Sequence, residues 1–327
     1  MRVVILLAFL LPILALAQVS LGAVHIPMRS VIAALIQPEG DFLATIVRQQ
    51  RLPRVGVAIF VGACLGVSGL ILQKVMQNVL VSPSTLGINA GATLAVVLSV
   101  FFLGLDGRSL FLPGLLGGIA AMALTLMAAR LIAGQGDRRL DVVLAGSMVG
   151  ILCSSASTFV MTLDSDAFGT MIGWLVGDIG NFDHLMLPMV ALPAGAALAG
   201  AFLFSRHLDV MVTGDDQAAL LGVDVRRVQA LAVGIAVVLA VSAVVVVGPI
   251  GFLGLVVPHL VKLALGETGR ATLLAAMLAG PCILMLADIA ARVAVAPRVL
   301  PVGIVMGLAG GVLFLGMVLS MTRRGRA

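Results

Sequence analysis

Charge is what this sequence has least of. Only 11% of its 327 residues are charged, against 61% hydrophobic, and the mean hydropathy is +1.20. A soluble domain is about one-quarter charged. Too little polar surface exists here to clothe a water-soluble fold, which excludes an ordinary soluble enzyme and indicates a polytopic membrane protein. Aromatic residues are scarce as well, with no Tyr and Trp174 as the single Trp. The three cysteines, Cys64, Cys153 and Cys282, sit inside apolar stretches and read as small buried hydrophobes, not disulfide partners or metal ligands.

Motifs of covalent chemistry are missing too. Neither Lys74 nor Lys262 follows a glycine, so there is no P-loop and no site for ATP of that kind. There is no HExxH, no cysteine pair and no G-x-S-x-G, and His25, His184, His207 and His259 lack metal-ligand spacing. No metal and no cofactor are therefore expected in this chain. Acids inside the apolar runs are nearly absent, with Asp288 the one clear case. A proton- or sodium-coupled carrier keeps carboxylates at mid-membrane, so the energy for any transport should come from a partner. No basic run interleaved with aromatics exists, which argues against nucleic acid. The net charge of +5 instead fits the positive-inside rule.

What is present is apolar helix. Cutting at charged and Pro/Gly-rich breaks gives about ten spans of roughly 20 residues, over 3–23, 55–74, 86–105, 112–133, 141–163, 186–205, 228–247, 251–265, 271–290 and 302–321. The eighth is short and interrupted by Gly251, Gly254 and Pro258. The first fits a cleaved leader as well, but the rest of the chain is itself polytopic, which favours an uncleaved span. With both ends cytoplasmic, inner segments hold thirteen basic residues and outer ones seven, the sense the charge rule requires. Ala58, Gly62 and Gly66, like Gly303, Gly307 and Gly311, recur every four residues and place small side chains on one helix face for packing.

Three polar features stand out against this background. The longest inner loop, 206–227, pairs Thr213 with Asp216 at capping-box spacing. Asp215 and Asp216 suit a helix N-terminus. Ala218, Leu220 and Leu221 give an apolar face, and Gly222 stops the helix. Asp224 then caps a second short helix with Arg226 and Arg227. The segment reads either as a rigid cytoplasmic knob or as a loop on the membrane surface. On the outer side, Arg51-Leu52-Pro53-Arg54 precedes the second span. Its guanidinium groups either snorkel to lipid phosphate or receive carboxylates from a partner. Arg292 lies at the outer end of the ninth span, four residues after Asp288, a spacing that favours a local ion pair. In the fifth span, Ser154 and Ser157 belong to a polar run that lines a wet pathway or bonds between helices.

Taken in order, these residues resemble the iron-siderophore, haem and cobalamin permeases of ATP-binding cassette importers, the FecCD type. The motifs run from Arg51-Leu-Pro-Arg54 through Ser68-Gly69, Gln73 and Asn78, Leu86-Gly87 and Gly91-Ala92. They continue with Gly214, Ala218 and Leu221-Gly222, then Gly248-Pro-Ile-Gly-Phe-Leu-Gly254, Pro258-His259 with Lys262, Ala287-Asp288 with Ala291-Arg292, and Leu300-Pro-Val-Gly303. The resemblance implies an all-α, ten-span permease domain over 1–327 with type II importer architecture, no enzyme in itself. It implies a homodimer in the bacterial inner membrane, two cytoplasmic ATP-binding subunits, and a periplasmic or lipid-anchored substrate-binding protein. Arg51, Arg54 and Arg292 would receive that protein. Gly214 to Gly222 would meet the ATPase, and Asn78 and Leu80 would lie near the inner gate. The family's Arg-Asn-Pro-Leu-Ala is Gln77-Asn78-Val79-Leu80-Val81 here, which removes its Pro and its Arg. The cargo it implies is a ferric siderophore, then haem or cobalamin. A stand-alone carrier or channel is the alternative from another class.

Overall fold

The computed structural model describes residues 2–22, 26–36, 42–132, 138–163, 165–180 and 186–324, and all regular structure among them is helical. In chain order the helices are α1 (Arg2–Ser20), α2 (Met28–Ile36), α3 (Phe42–Ile46), α4 (Leu52–Val75) and α5 (Ile88–Leu103). Then come α6 (Phe111–Ile132), α7 (Arg138–Thr162), α8 (Ser165–Leu175), α9 (Met186–Leu203) and α10 (Ser205–Met211). The last are α11 (Asp215–Leu220), α12 (Val225–Val247), α13 (Leu253–Leu265), α14 (Arg270–Val293) and α15 (Val302–Arg324).

Six helical stretches are long and apolar enough to cross a membrane, and a seventh if α9 and α10, bent by 62°, count as one span. Three shorter apolar helices, α5, α13 and the Val302–Gly316 part of α15, complete the set. Each of the ten expected spans falls on one of these elements.

Helix α4 is the axis. It packs against α14, α12 and α13, and nearly every residue from Val61 to Val75 is buried. Small residues make this possible. A Cβ added at Gly62 would lie 2.4 Å from the Pro281 nitrogen of α14, and one at Gly66 would lie 2.7 Å from the Ala276 carbonyl oxygen of the same helix. Backbones this close leave no room for any side chain, so these are the packing contacts the four-residue ladder anticipates; Gly69, outside the ladder, meets the Gly254 carbonyl of α13 in the same way. The other ladder shares one face of α15 but is not packed along its length. Gly303 sits against the Val176 carbonyl, but Gly307 meets nothing within 4 Å, and Gly310 rather than Gly311 is pressed against Phe252.

Three expected boundaries move. The second span starts earlier: α3 runs through a π-helical turn, Val47–Arg51, straight into α4. Arg48 and Arg51 are therefore helical residues and not part of an extended approach. Pro53 directly follows this π-helical turn, where the regular i→i−4 ladder is already interrupted. The break around the eighth span precedes the helix instead of interrupting it. Gly248 (φ +80°) and Phe252 (φ +62°) turn the chain between α12 and α13, while α13 continues through Gly254 and Pro258. Residues after Gly222 do not form a second short helix, because Asp224 caps the long α12 itself.

Candidate functional site

Helix α4 is 24 residues long, about 35 Å of helix, and each of its ends carries a polar cluster. At its first turn, Arg54 donates to Asp288 of α14 from Nη2 (2.6 Å) and Nε (3.0 Å). Arg292 reaches the other oxygen of the same carboxylate at 2.9 Å, and Gln18 of α1 donates to it at 2.7 Å. Asp288 is fully buried and Arg292 is 5% exposed. Arg292 also donates to the Gln18 carbonyl at 3.0 Å. Arg51 caps the end of α1 through the carbonyls of Val19 and Ser20. Asp178, after α8, lies 3.6 Å from Arg54. Among the described residues, three arginines thus gather around one buried carboxylate and one partly exposed one.

The expected local pair of Asp288 and Arg292 is present, but it is half of a larger cluster. Asp288 ties together α1, α4 and α14. Both of its oxygens are occupied, Oδ1 by Arg54 and Oδ2 by Arg292 and Gln18. The structure brings Arg51, Arg54 and Arg292 together. Arg292 lies beneath the other two and is engaged on the inside.

At the far end of α4, Lys74 is 1% exposed and its Nζ lies 2.6 Å from Asp209 Oδ1 of α10. Asp209 Oδ2 accepts from the Gly269 amide at 2.9 Å, and Lys74 also donates to Thr272 of α14 at 3.3 Å. Gln77 donates to the Met211 carbonyl (3.0 Å) and to Asp215 (3.3 Å). Gln229 of α12 donates to both oxygens of Asp215 at 3.2 Å. The short helix α11 is therefore fastened through Asp215 to α12 and to the turn after α4, while the adjoining α10 is fastened through Asp209 to α4 and to the start of α14. Inside it, Ala218 is buried against Met211 and Val228. Outside it, Leu220 is 88% and Leu221 68% exposed. Asp216, Arg226 and Arg227 are exposed as well, with Arg227 paired to Asp224 at 2.9 Å.

The capping box does not form. Gly214 takes the N-cap position of α11 with φ +112°, a conformation that suits glycine. Thr213 points back and donates to the Val210 carbonyl at 2.8 Å. Asp215 turns to Gln77 and Gln229 instead, a tertiary use that local spacing could not reveal.

A cleft of about 660 Å³, with many hydroxyl-bearing residues in its wall, lies between α5, α7 and the turn after α12. Ser154 and Ser157 both line it, together with Asn89 and Thr93. Ser157 donates to the Cys153 carbonyl at 2.9 Å. Asn78 and Leu80 are not part of this wall. They form a local turn, with Asn78 Oδ1 accepting from the Leu80 amide at 2.9 Å.

Sequence reasoning missed several of these residues. Lys74 and Asp209 are 135 positions apart and Gln18 and Asp288 are 270 apart, so no local pattern joins them. A lone lysine at the end of an apolar span was the available signal for the first. Among the described residues, no three metal-ligating side chains come together.

The sequence model of the FecCD transport family matches residues 10–320. The hemin transport system permease protein HmuU of Yersinia pestis is 34% identical over 320 residues, covering 96% of this chain and 94% of that protein. The ferric enterobactin transport system permease protein FepG of Escherichia coli is 32% identical over 305 residues, covering 93% and 91%. A solved structure of a metal-chelate type ABC transporter in an inward-facing conformation superposes with a TM-score of 0.80 at 25% identity, covering 97% and 98% of the two chains. With its membrane-spanning helices and a match along nearly its whole length, the chain is a multi-pass membrane protein that belongs to the FecCD transport family.

Proposed function

We propose that this chain is the permease subunit of an ATP-binding cassette importer that moves a ferric siderophore, or a related metal chelate, across the bacterial inner membrane. It works as a homodimer with both termini cytoplasmic. Two cytoplasmic ATPase subunits drive it, and a substrate-binding protein delivers cargo to the outer face. ATP stays with the ATPase partner, and the chain performs no covalent chemistry. Haem and cobalamin are the next cargo classes; hemin and ferric enterobactin are named for two relatives.

One observation carries the reading: two adjacent leucines stand exposed at the end of a short helix that is fastened to α12 and sits beside α10, itself tied to α4 and α14. An apolar tip of this kind suits a protein cover. Movement of that cover would pass to α12 through α11 and to α4 and α14 through α10. The segment 206–227 serves as the coupling element. Within it Leu220 and Leu221 make the contact, and Gly214, Asp215, Ala218 and Gly222 hold its shape. Asp216, Arg226 and Arg227 form a polar rim. At the other face, Arg51 and Arg54 receive acidic groups of the binding protein, and Arg292 adds charge from beneath. Ser154 and Ser157 lie on the cargo path, with Asn78 and Leu80 at its inner gate.

A stand-alone carrier would need a titratable acid free to change state, and Asp288 is instead held by two arginines. The test is co-purification. Leu220→Asp with Leu221→Asp should abolish recovery of the ATPase subunit that accompanies the wild-type permease, while the variant remains monodisperse. Undiminished recovery removes the coupling role. Ala218 is unsuited to this test, because a charge at its buried position would unfold α11 before it touched any partner.

A further inference from the structure

Arg54 is held firmly on one side and loosely on the other. Its Nε and Nη2 both donate to Asp288 Oδ1, at 3.0 and 2.6 Å. The donors not used there are Nη1 and the second hydrogen of Nη2. Both lie against the turn that follows α8. Asp178 Oδ1 stands 3.6 Å from Nη2, too far for a hydrogen bond. It accepts instead from the Gly180 amide at 2.8 Å. Gly180 covers Nη1: a Cβ added there would lie 2.2 Å from that nitrogen and 3.1 Å from Cζ.

The two acids on Arg54 are therefore unequal. The bonds to buried Asp288 are short and charge-assisted, the strong kind. The Asp178 contact joins two partly exposed side chains, 14% for Arg54 and 22% for Asp178, without a direct bond, and such contacts contribute little. Asp288 is a permanent partner, and Asp178 is one that a better-placed acid can replace. The docking proposed above asks Arg54 to take an acidic group from outside. The donors that would take it are the ones under the 178–180 turn.

We infer that Asp178 holds the place of the binding protein's carboxylate. An incoming Asp or Glu side chain displaces the 178–180 turn from the outer side of Arg54 and makes the direct hydrogen bonds that Asp178 does not. The inference rests on the docking reading and deepens it, since the permease's own chain occupies the seat before docking.

The turn is no loose flap. Ile179 within it is fully buried. The Asp178 amide donates to the Val247 carbonyl of α12 at 3.1 Å, and the Gly177 carbonyl accepts from the Gly303 amide of α15 at 2.8 Å. Trp174 donates from its indole to the Val245 carbonyl at 3.3 Å. Its own carbonyl sits so close over Gly248 that a Cβ there would lie 1.7 Å away. Pro249 and Gly251, just beyond, line the cleft between α5 and α7 together with Leu175. A push at Asp178 is delivered to backbone at the edge of the cleft.

The test uses full-length permease in detergent and the substrate-binding protein recovered with it. Asp178→Asn removes the competing charge, keeps the size and still accepts from the Gly180 amide. It should tighten association with the binding protein about twofold to fivefold. A residue that only held the fold would, when changed, weaken association or leave it alone, so unchanged or weaker association overturns the inference. Gly180→Ala approaches from the other side. Its methyl must push the turn off a guanidinium that Asp288 holds in place, and association should again tighten. Trp174 is the single Trp and reads the relay: acrylamide should quench its fluorescence more steeply in Gly180→Ala than in the wild type, and equal quenching overturns the relay to the cleft. Arg51→Glu separates the parent reading. Weakened association there, with no gain in Asp178→Asn, leaves docking standing and removes the competition. No change in either variant removes docking at the arginines, and the competition with it.

Discussion

The two ends of α4 solve opposite problems with the same few charges. At the Arg54 end, two arginines share one buried carboxylate, and a third arginine caps a neighbouring helix. Among the described residues of that cluster, three guanidinium groups stand beside two carboxylates. At the Lys74 end, one lysine meets one aspartate, and the surface beside the pair is apolar, on Leu220 and Leu221. On the function proposed above, the first end presents guanidinium groups to a partner and the second grips on contact. In a chain only 11% charged, charge placed at both ends with different stoichiometry separates these tasks.

The comparison breaks most sharply at Asp288. Asp288→Ala leaves Arg54 and Arg292 facing each other with Arg292 buried. Breaking a buried pair by removing one partner costs about 3–5 kcal/mol. Thermal unfolding in detergent should show a large loss of stability. Asp209→Ala should cost less, because Asp209 is 23% exposed at its side chain and water can solvate what it leaves behind. Equal losses would mean that the two ends are not mechanically distinct.

Lys74→Met tests the inner end alone. It removes a buried cation and keeps the side-chain volume. Asp209 retains the Gly269 amide as a partner, so stability should fall by only about 1–3 kcal/mol. The double substitution Lys74→Met with Asp209→Leu should recover most of that. Transport-coupled ATP hydrolysis should fall in both variants, since the fastening of α10 to α4 is gone in both. Full coupling in the stable double variant would show that this bond is structural only.

Arg51→Glu is the clean probe of the outer end. Arg54→Glu would set a second carboxylate beside Asp288 and confuse folding with docking. Arg51 donates to the carbonyls of Val19 and Ser20 at the end of α1 and lies apart from the Asp288 carboxylate, so its reversal should weaken binding-protein association by about tenfold or more and leave ATPase recovery intact. Normal association would remove Arg51 from the docking surface.

How far the sequence reaches follows the same division. The spans were legible because 20-residue apolar runs have few alternatives in lipid, and the knob was legible because Gly214, Asp215 and Gly222 punctuate it locally. Its outer half was misread at Asp224, where a good N-cap is the same signal for a short helix and for a long one. The arginines were legible as a group. Their convergence on Asp288 was not, since Gln18, Arg54 and Asp288 come from three distant helices and each looks ordinary in its own window. The cleft was half legible: Ser154 and Ser157 are visible as a polar run, but the matching wall of Asn89 and Thr93 depends on how α5 packs against α7.

The smallest effect is also the one that bears on both ends at once. Raising NaCl from about 0.1 M to 1 M shortens the screening length from about 10 Å to about 3 Å. Partly exposed ion pairs contribute about 0.2–1 kcal/mol each and lose most of that to salt. Association at the arginine end should therefore weaken by roughly twofold to fivefold per pair. Contact through Leu220 and Leu221 buries apolar area, which salt does not screen, so ATPase recovery should hold steady or rise slightly. Both associations would be measured on the same purified permease across one salt series. Parallel weakening of the two would mean that the inner contact runs through the polar rim of Asp216, Arg226 and Arg227 and not through the leucines. A flat response at both ends would mean that the arginines serve only Asp288 and the fold.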